Sequence, residues 1–287
     1  MIELRLRSRA TGPGQAELLR CMLITAGIAL ERIVEKRQRG VLSFSVFTDS
    51  VREARAIAGA VRELRLKGIS FSFVPLKDSD WKTRWKKYFK PFNITREIRI
   101  IPVWEQAQSA PAGMAGIRLD TTSAFGTGLH ATTRMVAGMI RSRRGRLGAF
   151  LDIGTGSGIL SVIAFRYGAK LIRAIDFDKE SVVTARKNFR RNGCPDRFLA
   201  AQDFARFTSG RRFDFVAANL FTEDLVRFCP KLISLVEPGG YLAVSGIFAD
   251  NYPSFRARFK DRRARCVEVA KRGKWYAALY RIKGGAR

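Results

Sequence analysis

A glycine-rich turn between two apolar runs constrains the fold of this chain more than any other feature. The apolar run 149–153 leads into a turn in which alternate residues are glycine: Gly154, Gly156 and Gly158. A helix-like segment follows, and a second apolar run ends at Asp176. Together these parts predict a nucleoside pocket at the carboxyl edge of a parallel sheet. Glycine lets the backbone approach a ligand closely, and the acid accepts hydrogen bonds from ribose hydroxyls.

The elements after Arg146 alternate between strand and helix, which is typical of an α/β doubly wound sheet. Strands are predicted at 149–153, 171–175, 197–201, 213–218 and 241–246, and helices at 157–167, 179–192, 222–236 and 251–261. Two further strands, 264–270 and 275–282, predict a C-terminal antiparallel hairpin. Dinucleotide-binding folds usually lack such a hairpin, so it disfavours a nicotinamide cofactor.

Residues 1–76 are predicted to form a separate, small α+β domain. The spacing of apolar residues gives strands at 2–7, 29–35, 41–47 and 69–74, and helices at 15–26 and 51–64. The resulting order, βαββαβ, is that of a ferredoxin-like domain.

A linker and a larger domain are predicted to follow. Residues 77–104 form the linker, a helix followed by one strand at 93–103, and residues 105–287 form the larger domain. The linker helix carries its aromatic residues on one face: Trp81, Trp85, Tyr88 and Phe89. Such a stripe can stack on nucleic-acid bases, but packing between two domains is the favoured interpretation.

Composition excludes several classes of protein. Hydrophobic residues make up 46% of the chain, which supports a globular core, and no apolar stretch is long enough to span a bilayer. The four cysteines are scattered and there is one histidine, so neither a disulfide framework nor a metal site is expected. The chain does not begin with an apolar signal segment, and we expect a cytoplasmic protein with no membrane partner.

The charge of the chain is strongly positive. Lysine and arginine number 53 and acidic residues 25, which gives a formal net charge of +28. Such a field attracts polyanions, and a transient contact with ribosomal RNA would fit. Because the arginines are spread along the whole chain, a proteome-wide basic bias is an equally good explanation.

The G-x-G-x-G spacing preceded by Asp152 resembles motif I of class I S-adenosylmethionine (SAM) methyltransferases. Other segments make the chain similar to one family of them, the ribosomal protein L-eleven methyltransferases of the PrmA type. These segments are residues 89–92, the Ala-Phe-Gly-Thr-Gly block 124–128 with His130, Thr132 and Thr133, Asp176 with Asp178, and residues 218–220, 237–240 and 245–247. The resemblance covers essentially the whole chain and implies a Rossmann-like methyltransferase domain.

The resemblance also implies which residues bind SAM: Thr133, Gly154, Gly156, Gly158, Asp176 and Asn219, with Phe125 and Asp203. Asp176 would bind the ribose, Asp203 the adenine amine, and Thr133 and Phe125 the methionine end. Asn219 would also orient the methyl acceptor. His130 is either a general base or a residue that holds its loop by hydrogen bonds.

Three functions are consistent with these residues. The first is SAM-dependent methylation of lysine side-chain amines, with the N-terminal amine as a further acceptor, in the stalk-base protein of the large ribosomal subunit. The second is lysine methylation of a non-ribosomal protein, such as an electron-transfer flavoprotein. The third is a non-catalytic, basic RNA-binding protein with this fold. The predicted N-terminal domain, acting in substrate recognition, favours the first.

Overall fold

The computed structural model describes residues 2–8, 19, 23, 33–38, 41–48, 50–63, 68–75, 90–105, 108–121, 126–195 and 199–284. The chain divides into two compact units, residues 1–89 and 90–287. Residues 90–104, assigned to a linker from the sequence, therefore belong to the second unit, and the predicted linker helix lies outside the described residues. Within the described ranges, no helix is long and apolar enough to cross a membrane.

The first unit contains a four-stranded antiparallel sheet in the order β2-β3-β1-β4. This is the order that the predicted ferredoxin-like topology requires. The elements are β1 (Ile2–Ser8), β2 (Ile33–Gln38), β3 (Val41–Thr48), α1 (Val51–Glu63) and β4 (Ile69–Pro75). Every second residue of β3 is buried, and the buried face shares a core with Ile57 and Val61 of α1.

Strand β2 differs from its prediction. It extends to Gln38, whereas the polar residues from Lys36 onward were expected to end it. Its backbone pairs with β3 as far as Gln38 opposite Val41, and β2 is an edge strand of the described sheet, where polar residues are tolerated. Of the predicted helix 15–26, the described residues Leu19 and Leu23 are helical and buried. The rest of that helix lies outside the described residues.

The second unit contains a seven-stranded sheet and a three-stranded sheet. The small sheet consists of β5 (Phe92–Asn93), β6 (Ile98–Pro102) and β7 (Ala115–Leu119). The large sheet consists of β8 (Ala149–Ile153), β9 (Leu171–Asp176), β10 (Leu199–Ala201), β11 (Phe213–Asn219), β12 (Val236–Phe248), β13 (Ala264–Arg272) and β14 (Trp275–Ile282). The helices of this unit are α2 (Ala131–Ser142), α3 (Ile159–Arg166), α4 (Lys179–Arg191), α5 (Thr222–Arg227), α6 (Cys229–Ser234) and α7 (Tyr252–Arg258).

The large sheet has the order β10-β9-β8-β11-β12-β14-β13. The first five strands are parallel, and β14 is antiparallel to both β12 and β13. This arrangement confirms the predicted doubly wound sheet and its C-terminal antiparallel hairpin. The order reverses between β8 and β11, and in open α/β sheets that switch point places a binding crevice at the carboxyl ends of the strands.

Both faces of the large sheet are covered. On one face, Phe150 and Phe215 stack with ring centroids 5.5 Å apart and share a core with α2, α3 and α4. On the other face, Leu151 and Val216 share a second core with α5, α6 and α7. The two faces explain why the central strands read as continuous apolar runs rather than alternating ones.

Three elements of the second unit were predicted incorrectly. Helix α2 (Ala131–Ser142) is absent from the helices that the sequence predicts. The expected strand 93–103 is two short strands, β5 and β6, which pair across a turn at residues 94–97. The expected helix 222–236 is two helices with a break at Phe228, because Pro230 lies in the first turn of α6, where the missing amide is not needed.

Candidate active site

A cavity of about 500 Å³ lies at the carboxyl ends of β8, β9, β10 and β11. Three predicted site residues line it: Gly154, Asp176 and Asp203. Each one follows or ends a different parallel strand, and the carboxyl ends of parallel strands meet at one edge of a sheet. The cavity therefore lies where the sequence predicted a nucleoside pocket.

The first glycine of the turn, Gly154, lines this cavity. Gly154, Gly156 and Gly158 have φ angles of 72°, 53° and 81°, a region that favours glycine. A Cβ on Gly154 would lie 2.9 Å from Leu220 Cδ2 and 3.2 Å from the carbonyl oxygen of Asn219. Gly154 thus leaves a bare backbone surface in the cavity. Gly156 and Gly158 do not line the cavity. A Cβ on Gly158 would lie 2.6 Å from the Phe189 ring.

Asp176 is held by the backbone on both of its carboxylate oxygens. Oδ2 accepts a 2.8 Å hydrogen bond from the amide of Gly156, and Oδ1 accepts a 3.0 Å bond from the amide of Asp178. Burial raises the pKa of Asp176, while these amide bonds oppose the rise. A carboxylate has about four acceptor positions in all, so backbone bonds to Asp176 leave acceptor capacity for a ligand. The carboxylate can therefore accept bonds from a pair of hydroxyls.

Asp152 is fully buried beneath the turn. Its Oδ2 accepts three hydrogen bonds. The donors are Thr155 Oγ1 at 2.8 Å, Ser161 Oγ at 2.7 Å and the backbone amide of Ser161 at 3.2 Å. Burial raises the pKa of Asp152 to about 6 despite these donors. The side chain thus ties the end of β8 to the turn and to α3, which is a structural role.

Asn219, the last residue of β11, lies beside the cavity without lining it. Its Oδ1 accepts a 2.9 Å hydrogen bond from Ser245 Oγ, which fixes the rotamer of the amide. The carbonyl oxygen of Asn219 faces Gly154, as described above. The next residue, Leu220, lines the cavity.

His130 and Thr133 lie on or beside helix α2, outside the lining of this cavity. Nδ1 of His130 is 2.7 Å from Thr132 Oγ1, and the imidazole packs edge-on against Trp275 with centroids 4.9 Å apart. Burial lowers the pKa of His130. Thr133 is buried, and its Oγ1 makes no hydrogen bond to any part of the chain that the structure describes. Buried hydroxyls are generally paired, so this atom suits a ligand.

The glycine-bearing block upstream of α2 contacts the glycine turn. Ser157 Oγ donates a 2.6 Å hydrogen bond to the carbonyl oxygen of Gly126. Gly128 has a φ of 80°, and a Cβ on it would lie 2.6 Å from Ile159 Cδ1. The block therefore packs on the start of α3, next to the turn. Phe125 lies outside the described residues.

Several cavity residues were missed from the sequence. Those not predicted include Phe177, Gln202, Phe204, Leu220, Asp224, Arg227 and Phe228. Phe177 and Gln202 adjoin Asp176 and Asp203, so position after a strand is the signal that could have identified them. The backbone amide of Gln202 donates a 2.7 Å hydrogen bond to the backbone carbonyl oxygen of Asp176. Asp224, Arg227 and Phe228 lie on α5 or at its C-terminal end and do not directly follow a strand. The sequence predicted them within one longer helix, where no pattern marks a cavity residue.

The comparisons with known proteins agree with the fold. A family model described as ribosomal protein L11 methyltransferase (PrmA) matches residues 27–283. Ribosomal protein L11 methyltransferases of Pelobacter propionicus and Geobacter sulfurreducens are 36% and 37% identical to this chain over 211 and 209 residues. Those matches cover 72% and 73% of this chain and 68% of each relative.

A solved structure is also similar. The crystal structure of a ribosomal protein L11 methylase from Lactobacillus delbrueckii subsp. bulgaricus matches with a TM-score of 0.62 at 29% identity. The match covers 68% of this chain and 99% of that chain. The family model spans nearly the whole chain, and the relatives exceed 30% identity over more than two thirds of it. The resemblance drawn from the sequence is thereby confirmed: the chain belongs to the ribosomal protein L11 methyltransferase (PrmA) family.

Proposed function

We propose that this protein transfers methyl groups from SAM to lysine side-chain amines of ribosomal protein L11, with the N-terminal amine of that protein as a further acceptor. One observation carries the proposal: Gly154 and Asp176 line a single cavity at the switch point of a sheet in a chain of this family. The names of the relatives support ribosomal protein L11 as the substrate, and the lysine acceptor follows from the family resemblance of the sequence.

The residues at the edge of the sheet fit SAM. Gly154 lines the cavity, and the close approach of Leu220 and the Asn219 carbonyl leaves no room for a side chain on it, so it can offer only backbone to a ligand. Asp176 has two carboxylate oxygens that can accept from the ribose hydroxyls. The unpaired, buried Oγ1 of Thr133 offers a donor for the methionine carboxylate. Asp203 lines the same cavity and accepts a bond from the amide of Ala205, leaving acceptor capacity for the adenine amine.

Catalysis in this site requires positioning and a neutral acceptor. SAM supplies an activated methyl group on a positively charged sulfonium. Lysine has a reference pKa near 10.4, so removing its proton at pH 7 costs roughly 4–5 kcal/mol. Burial of the amine beside a positive charge lowers its pKa and removes part of that cost. The chain therefore needs groups that hold the amine in line with the methyl group, rather than a strong base.

Asn219 is suited to the acceptor end of the site, whereas the contacts of His130 favour a different role. The Asn219 amide, held by Ser245, presents a polar group at the end of β11 that can accept a bond from an incoming amine. Because His130 is packed against Trp275 and paired with Thr132, its geometry favours holding the polypeptide before α2. Burial lowers its pKa and keeps the ring neutral near pH 7, so a base role is compatible with its charge state.

Two further assignments concern the remainder of the chain. The family model begins at residue 27 and thus includes most of the first unit, to which we assign substrate recognition. We assign to the net charge of +28 a transient contact with ribosomal RNA around the substrate. Both assignments follow from the proposed substrate and are tested with it.

The test is transfer of label from methyl-labelled SAM to separated ribosomal proteins, followed by mass spectrometry of the labelled chain. The proposal expects label in ribosomal protein L11, on lysine side chains or the N-terminal amine, and at least tenfold slower labelling with the variant Asp176→Ala when SAM is below saturation. Label confined to non-ribosomal proteins would overturn the ribosomal substrate. Cofactor binding without transfer to any ribosomal or cellular protein would overturn catalysis and favour a non-catalytic RNA-binding protein.

A further inference from the structure

Asn188, on helix α4, connects two parts of the site that are far apart in the sequence. The side chain is fully buried. Its Nδ2 donates 2.8 Å hydrogen bonds to the carbonyl oxygens of Asp120 and Ser157. Its Oδ1 accepts a 2.8 Å bond from the amide of Asp120. Both N–H groups of one buried amide are thus used to join the end of β7 to the glycine turn.

Asn192 makes a similar set of bonds one helical turn later. Its Oδ1 accepts from the amide of Arg118 at 3.0 Å, and its Nδ2 donates to the carbonyl of Arg118 at 2.8 Å. The second N–H of Asn192 bonds to the Asn188 carbonyl at 2.7 Å, inside the same helix. Asn192 therefore binds β7 and Asn188 binds the residue that follows it, but of the two only Asn188 bonds to the glycine turn.

The hydrogen bond from Asn188 to the Ser157 carbonyl oxygen restrains the glycine turn, whose glycines leave its backbone conformationally free. Ser157 stands between Gly156 and Gly158, whose backbones have the widest conformational freedom. The Gly156 amide holds Asp176, and the Ser157 hydroxyl holds Gly126. Fixing the Ser157 carbonyl fixes the peptide plane that leads into α3. A preordered turn loses less conformational entropy when a ligand binds.

We propose that Asn188 is a positioning residue for cofactor binding, which acts by holding the Ser157 carbonyl and thereby the glycine turn. This inference rests on the proposed function only in that SAM is the ligand of the turn. Asn192 bonds to Arg118 and so stabilises the contact between α4 and β7, but it does not hold the glycine turn.

The matched variants Asn188→Asp and Asn192→Asp test the proposal. Each replaces an amide by a carboxylate of the same shape and removes two donated hydrogen bonds. Affinity for S-adenosylhomocysteine is measured by calorimetry, the melting temperature without ligand by circular dichroism, and KM for SAM and kcat by methyl transfer. We expect both variants to melt earlier. Asn188→Asp should bind at least tenfold more weakly and raise KM by a similar factor, while Asn192→Asp changes affinity less than threefold.

Equal loss of affinity in the two variants, or no loss in Asn188→Asp, would overturn the role of Asn188. A structural role alone would reduce the folded fraction and kcat without changing the affinity of the folded protein. The milder pair Asn188→Ser and Asn192→Ser is used if the aspartate variants do not fold, with the same expected order. Failure of the unmodified protein to bind S-adenosylhomocysteine would instead contradict the proposed function.

Discussion

The backbone amide of Gly156 donates a 2.8 Å hydrogen bond to Oδ2 of Asp176, twenty residues further along the chain. The bond joins the turn after β8 to the end of β9, the two neighbouring strands that form the floor of the cavity. It orients the carboxylate before any ligand binds. Oriented acceptors lose little entropy on binding, and this makes Asp176 the strongest candidate for ribose recognition.

Replacing Asp176 should therefore reduce affinity more than stability. We expect Asp176→Ala to bind SAM at least tenfold more weakly, because two hydrogen bonds to hydroxyls are lost, while circular dichroism shows an intact fold. The control is Asp178→Ala. Asp178 caps α4 through bonds to the amides of Glu180 and Ser181, so its loss should cost about 1 kcal/mol of stability without a comparable loss of affinity. Unchanged affinity in Asp176→Ala, measured by calorimetry, would remove Asp176 from the site.

The role of Gly154 in SAM binding can be tested by comparison with Gly193, which has a similar φ angle but no neighbouring atoms where a side chain would lie. Gly154→Ala places a Cβ 2.9 Å from Leu220 Cδ2 at a φ of 72°, whereas Gly193→Ala, at a φ of 65°, meets no atom within 4 Å. Both variants should lose about 1–2 kcal/mol of stability from the left-handed conformation. We expect Gly154→Ala also to lose at least tenfold in SAM affinity, and Gly193→Ala to keep wild-type affinity. Similar affinities in the two variants would show that the turn does not face the cofactor.

The sequence predicted the large sheet well because its signals are local. Apolar runs, the glycine turn and strand-terminal acids located β8, β9 and β11 and placed Gly154 and Asp176 at one edge. Helix α2 was missed because the polar residues before it resemble a loop, and Thr132 and Thr133 are buried only by packing within the second unit. The bonds from Asn188 to Asp120 and Ser157 could not be predicted either. They join residues 68 and 31 positions apart, and no local pattern marks such partners.

Variants of His130 and Thr132 distinguish two roles for His130: a general base, or a residue that holds the chain before α2. If the 2.7 Å contact between His130 Nδ1 and Thr132 Oγ1 holds the chain before α2, His130→Gln and Thr132→Val should lower kcat by similar factors, each below tenfold. General bases contribute typically 10²–10⁴-fold. A loss of a hundredfold or more in His130→Gln, with a small effect in Thr132→Val, would establish His130 as the base. The measurement is kcat from pH 6 to 9 at saturating SAM.

Asp152 predicts a specific dependence of stability on pH. Its folded-state pKa of about 6 lies above the value of 3.8 for an unperturbed aspartate, so folding favours the protonated form. The stability that Asp152 contributes is full below about pH 4 and is lost as pH rises to about 6, a change on the order of 3 kcal/mol. Asp176, whose pKa burial also raises, adds to the same trend.

The variant Asp152→Asn isolates this contribution because asparagine does not titrate. We expect the free energy of unfolding of the variant, minus that of the wild type, to rise between about pH 4 and pH 6 and to level off above that range. Urea titrations at intervals of half a pH unit measure it. A difference that stays constant across the range would show that Asp152 ionises normally in the folded protein.

The central claim is that SAM binds at the carboxyl edge of the large sheet, against Gly154 and Asp176. A crystal structure of the protein with S-adenosylhomocysteine tests this claim most directly. We predict the ribose hydroxyls within hydrogen-bond distance of the Asp176 carboxylate, the backbone of Gly154 against the ligand, and the sulfur atom directed towards Asn219. A cavity filled by side chains, with the ligand absent or bound elsewhere, would contradict it.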